Sequence, residues 1–123
     1  METSKAASRT SISIKSASAL RDQIYVIAER EGESFNDASQ RLIMSGYKAF
    51  WDKIETQSPQ LVLSIYRSSA KALGENSMTD WVIETDRRTV NKVRLTAHEY
   101  DQTTNEFVVG ILLESLGMLT DQK

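Results

Sequence analysis

Few side chains in this 123-residue chain are spaced for chemistry. His98 is the only histidine, with Glu99 and Asp101 nearby but no second ligand at metal spacing, so neither a metal nor a cofactor is expected. No glycine-rich phosphate loop occurs, and no nucleophile sits with a base in a recognisable arrangement. Glu29 and Glu33 lie at helical spacing on a side expected to be solvated. Catalytic residues are therefore expected to be absent and the chain to be no enzyme. What remains is a row of donors and cations at every second position. In Arg9-Thr10-Ser11-Ile12-Ser13-Ile14-Lys15 the apolar Ile12 and Ile14 fall on one face, and Arg9, Ser11, Ser13 and Lys15 on the other. That is the period of a half-buried strand, and its outward row suits recognition through hydrogen bonds and charge. A second cationic group, Arg87, Arg88, Lys92 and Arg94, is the densest in the chain; it reads either as a second nucleic-acid contact or as a solvated face.

The elements that would position the first row follow directly. Residues 1–8 are small and polar with one cation, Lys5, and are expected to form a flexible arm. The strand is expected to pass into a helix capped by Ser16 or Ser18, with an apolar stripe of Leu20, Ile24, Ile27 and Ala28. Gly32 stops this helix, because glycine enters the left-handed region without steric cost. Ser34 caps a second helix over Phe35 to Ile54, with Asp37 complementing the dipole of its first turn. Its apolar arc is wide, and Gly46 at mid-helix marks either a close helix crossing or a tolerated glycine that costs about 1 kcal/mol against alanine. A lone strand cannot satisfy its own backbone, so a sister molecule is expected to supply its partner in an obligate dimer.

Composition narrows the class. At 40% hydrophobic and 26% charged, the chain reads as one globular domain or two small ones. It holds no cysteine, so no disulfide framework or thiolate metal site is available. No apolar run approaches the roughly 20 residues that span a bilayer, and the first residues lack the apolar core of a signal peptide, so a cytoplasmic protein away from membranes is expected. A net charge of −2 argues against a broadly basic surface, and any nucleic-acid contact must rest on a local patch.

The order strand, helix, turn, helix over Arg9 to Phe50, with the turn Gly32-Glu33-Ser34-Phe35-Asn36, resembles the ribbon-helix-helix domain of the Arc and methionine repressors. The resemblance covers about a third of the chain, and its motif is short and degenerate. It implies a mainly α fold with short β structure, divided into the flexible arm, a DNA-binding domain over residues 9–55 and a helical C-terminal region over residues 59–120. In that family two antiparallel strands enter the major groove of double-stranded DNA. The resemblance thus implies base contacts by Arg9, Ser11, Ser13 and Lys15, and a phosphate held by the free amides at Ser34, Phe35 and Asn36. Glu33 beside that turn opposes the second role. The implied function is a transcriptional repressor acting as a homodimer or higher oligomer. The alternatives are an accessory protein of plasmid transfer or partition, and an antitoxin or interaction module that meets a protein partner through residues 60–118.

Beyond Thr56-Gln57-Ser58-Pro59, a third helix is expected to open at Pro59, with a stripe of Val62, Ile65, Tyr66 and Leu73, and to end near Gly74. Met78 to Asp86 reads as a short helix or a strand, with the helix favoured. Thr89 to Thr96 alternates and is expected to be a strand, followed by a helix over Glu106 to Met118. Ile111 to Gly117 is similar in texture to Arg41 to Tyr47. A degenerate second unit over about 89–118 follows from these, about ten residues shorter than the first between strand and helix; if present, one chain could hold both strands. The competing reading is an oligomerisation or partner-binding region.

Overall fold

The computed structural model describes residues 9–74 and 77–120, so the arm expected over residues 1–8 lies outside the described residues. In chain order the elements are β1 (Arg9–Ala17), α1 (Ser18–Glu31), α2 (Phe35–Ile54), α3 (Pro59–Gly74), β2 (Met78–Asp86), α4 (Arg87–Glu99) and α5 (Thr104–Leu116). The fold is mainly helical, with a two-stranded antiparallel sheet among the described residues.

Strand β1 forms for the reason its alternation suggests: Ile12 and Ile14 are buried while Ser11, Ser13 and Lys15 face solvent. Its partner is β2 of the same chain, with Arg9 opposite Asp86, Ser13 opposite Val82 and Ala17 opposite Met78. This corrects the argument for an obligate dimer, because the missing backbone partner is supplied internally. It also corrects the helix expected at Met78 to Asp86. There Trp81, Ile83 and Thr85 point inward and Asp80, Val82 and Glu84 outward. The exposed Val82 joins Trp81 and Ile83 into an apolar triplet, which hides a period of two.

The strand expected at Thr89 to Thr96 is a helix. Val90, Val93 and Ala97 recur at three- and four-residue intervals and are buried, whereas Leu95, which a strand would place on the same face as Val93, is 70% exposed. The duplicated unit therefore lies elsewhere than expected. A constant displacement of 69 residues carries Arg9 to Met78, Ala17 to Asp86, Gly32 to Asp101 and Ser34 to Thr103. Strand, helix, turn and helix thus occur twice in one chain, and no shortening separates strand from second helix. The match of Arg41 with Ile111 was one residue out of step, since the same displacement pairs Leu42 with Ile111.

A pseudo-twofold axis follows from these two facts. Ser13 and Val82 are opposite one another and are also equivalent under the displacement, so the axis passes between them. The turns match in conformation too, with Gly32 at φ 68° and Asp101 at φ 58° both left-handed. Gly32 obtains this freely; aspartate is one of the few residues that tolerates it. The first cap of α1 departs from expectation: Ala17 takes the N-cap position without a side-chain bond. Ser16 is instead buried, accepting the Trp81 indole N–H at 2.9 Å and donating to the Ala17 carbonyl at 3.0 Å.

Helices α2 and α5 cross near the axis, and small residues permit it. A Cβ on Gly46 would lie 2.7 Å from the Ile111 carbonyl carbon and 2.8 Å from Ser115 Oγ. The equivalent contact on the other side places Ser115, counterpart of Gly46, against Leu42, counterpart of Ile111, with its hydroxyl donating to the Leu42 carbonyl. Gly46 therefore marks a close crossing. Around it, Phe50 is fully buried with its ring against Tyr66, Tyr100 and Phe107 at centroid distances of 6.2, 5.7 and 5.0 Å.

Helix α3 has no counterpart in the repeat. It opens at Pro59 and runs back so that β2 can reach β1. The Tyr66 ring lies on Gly110 of α5, and its hydroxyl donates to Glu114 Oε1 at 2.9 Å, an atom that Lys53 also approaches at 2.9 Å. Burial, and then the negative charge of Glu114, push the Tyr66 phenol well above its ordinary value near 10. The unfolded chain ionises this tyrosine near pH 10 whereas the folded chain keeps the proton, so this stabilisation is present below about pH 10 and is lost as pH rises beyond it. Tyr66→Phe is expected to flatten that alkaline decline, read as the change in denaturant midpoint between about pH 9 and 11.

Candidate functional site

The outward face of the ribbon carries two unlike rows. From β1 come Arg9, Ser11, Ser13 and Lys15, all exposed. From β2 come Met78, Asp80, Val82 and Glu84, likewise exposed and equivalent to them one by one. The fold thus brings the four expected residues together on one solvent face. It sets beside them an acidic row that the sequence reading did not assign to any surface. Asp80 occupies the position of Ser11, and Glu84 that of Lys15. Across the ribbon, Lys15 is opposite Asp80 and Ser11 opposite Glu84.

Each edge of the ribbon is bonded at one position by the same residue type from the second helix of each unit. Asn105 Oδ1 accepts the Lys15 backbone N–H at 2.7 Å, and its amide donates to the Lys15 carbonyl at 3.0 Å. Asn36 Oδ1, its equivalent, accepts the backbone N–H of Glu84, the equivalent of Lys15, at 3.0 Å. These contacts hold α2 and α5 beside the ribbon and occupy one backbone position on each edge. Asn105→Ala is expected to cost about 1–2 kcal/mol of stability for the two bonds removed, measured by denaturant titration.

The helix starts beside these edges are built differently. At α2, Ser34 Oγ accepts the Asp37 N–H at 3.0 Å, as a cap should, leaving the amides of Phe35 and Asn36 at the open end of the dipole. The asparagine side chain itself is committed to the ribbon. Glu33 is held away: Arg41 donates two N–H bonds to it at 3.0 and 2.6 Å, and this pairing holds its carboxyl below the usual range. Arg9 lies 3.7 Å from Asp37 and donates to the Glu84 carbonyl at 3.4 Å, so it lies between the ribbon and this helix start. At α5 the equivalent end is closed on itself. Thr103 accepts from the Glu106 N–H, and Glu106 accepts from the Thr103 N–H, both at 3.0 Å.

Two cations escaped the sequence reading. Arg67 and Lys71 on α3 are exposed and line, with Lys15, a half-open cavity of about 370 Å³ floored by Leu63, Tyr66 and Val109. Their four-residue spacing on one helix face was the available signal. The cluster Arg87, Arg88, Lys92 and Arg94 lies on α4, every member exposed, with Arg87 and Arg88 in a first turn where the helix dipole disfavours cations. His98 is exposed on the same helix, and no group of acidic or histidine side chains that could hold a metal occurs among the described residues. No helix is long and apolar enough to cross a membrane, among the described residues. Comparison with family models, curated proteins and solved structures gives no match.

Proposed function

We propose that the chain is a single-chain, pseudo-dimeric ribbon-helix-helix protein that binds double-stranded DNA through the outward face of β1 and β2. The observation that carries this reading is the antiparallel ribbon itself, with Arg9, Ser11, Ser13 and Lys15 exposed in one row and a helix start on either flank. A two-stranded ribbon fits the major groove, where arginine and lysine match guanine acceptors and serine accepts or donates. Asp80 and Glu84 would keep non-specific affinity low by repelling phosphates. The free amides of Phe35 and Asn36 suit one phosphate, and Arg67, Lys71, Arg87 and Arg88 are available to others. A sequence-specific repressor or regulator is the biological role we favour; an accessory role in plasmid transfer or partition uses the same chemistry.

Lys15→Ala is expected to weaken binding to a selected duplex about tenfold, and Ser13→Ala to change base preference near the centre of the site, both measured by titration at fixed salt. A footprint unchanged by both substitutions removes the ribbon as the reading surface. A protein partner for the same face is the second reading, favoured by the acidic β2 row and by Val82, 50% exposed at its centre.

A further inference from the structure

The repeat makes a second comparison available, between the solvent faces of α1 and α4. On α1 the exposed face is Asp22, Tyr25, Val26 and Glu29, spaced as one helical stripe. The displacement that relates the units carries these to Asn91, Arg94, Leu95 and His98 on α4, all exposed. Each face has an aliphatic side chain held out in water at the same place, with Val26 52% and Leu95 70% exposed. One such residue is ordinary; its recurrence at equivalent places with a change of charge around it is not. Asp22 and Glu29 flank Val26 with Arg30 one turn on, whereas Arg94 adjoins Leu95 with Arg88 and Lys92 beyond it and Glu99 one turn on, so the α1 face is net acidic and the α4 face net basic. Arg21 lies 3.2 Å from Asp22, but neither Glu29 nor Arg94 has an ion-pair partner among the described residues.

We infer that α1 of one copy of this chain docks on α4 of the next. The contact joins Tyr25 and Val26 to Leu95, and sets Arg94 among Asp22 and Glu29. Opposite net charge favours the α1-to-α4 pairing: α4 on α4 opposes Arg94 and its basic neighbours to themselves, and α1 on α1 sets Asp22 and Glu29 against the same two acids with Arg30 as the one cation beside them. An α1-to-α4 contact uses different patches on the two partners. It is heterologous and leaves a free α1 and a free α4 at the ends, so association is open-ended. It does not depend on what the ribbon binds.

Sedimentation velocity of the full chain without DNA, over a concentration series up to ~1 mM, tests the contact in a range where weak association registers. Open-ended growth in sedimentation coefficient, reduced at high salt, is expected for the native sequence. Arg94→Glu alone and Glu29→Arg alone are each expected to lower association at least about tenfold. An equimolar mixture of the two variants restores it, since the altered α4 of one meets the altered α1 of the other. A chain that stays monomeric throughout, a closed dimer indifferent to Arg94→Glu, or a mixture that fails to recover would each overturn the inference. Because DNA is absent, none of these outcomes bears on the ribbon, and loss of DNA binding by Lys15→Ala leaves this contact untouched.

Discussion

Gly46→Val is expected to leave the chain without a cooperative thermal transition. A Cβ there falls against the Ile111 carbonyl group, which is helical backbone and cannot swing aside as a side chain could. Overpacking a tight core costs about 1–3 kcal/mol when side chains can yield, and more where only helix separation relieves it. Small domains have only about 5–15 kcal/mol in hand, so forcing α2 from α5 at the pseudo-twofold axis removes a large share. Gly46→Ala places the same Cβ and is expected to lower the melting temperature strongly while leaving a measurable transition. Ser115→Ala tests the equivalent contact from the other side: it removes one hydroxyl bond to the Leu42 carbonyl and adds no atoms, so a loss of about 1 kcal/mol is expected. Near-equal melting of Gly46→Val and the native chain would mean that the two helices do not approach as described.

Exchanging Asp80 for Ser and Glu84 for Lys is expected to raise affinity for duplex DNA about ten- to a hundredfold at low salt. These are the residues that β1 carries at the equivalent positions, Ser11 and Lys15. The outward face now sets Arg9 and Lys15 against Asp80 and Glu84, two charges of each sign. The exchange leaves cations, hydroxyls, Met78 and Val82. Because affinity for the phosphate backbone follows the number of counterions released, the log–log dependence on salt should also steepen by about 1–2. Both side chains are exposed and each opposes a polar residue, Lys15 or Ser11, so stability should change little. Binding that is unchanged by the exchange would place β2 outside the interface. A fall in affinity would mean that the carboxylates contact bases directly.

The first unit was legible in the sequence because its local signals agree, the cap of α1 excepted. Polar residues fill each outward position of β1, Gly32 marks the stop of α1, and Ser34 with Asp37 marks the start of α2. The second unit is built on the same backbone with the signals muted. Val82 stands at an exposed strand position, so Trp81-Val82-Ile83 loses its alternation. Asp101 takes the left-handed turn that glycine announces in the first unit. Lys92 to Leu95 happens to alternate, and only burial separates Val93, in the core, from Leu95, in solvent. With β2 leaning towards a helix, the partner of β1 had to be sought in a sister molecule or in the alternating segment Thr89 to Thr96, and neither supplies it. The outward row of β1 survived that error, since it depends on β1 alone. The acidic row beside it could not be seen, because it exists as a face only after β2 is paired. Arg67 and Lys71 were hidden for a related reason: α3 carries them to Lys15 only through its return path between the two units.

Selection of bound duplexes from a random pool tests the central claim most directly. Because one chain supplies both halves of the ribbon, and the halves differ at every outward position, the enriched site should be short, bound by one chain, and without twofold symmetry. A palindromic site no longer than one ribbon covers would require two identical strands from two molecules and would contradict the single-chain ribbon. A pool that shows no enrichment would contradict its reading of DNA.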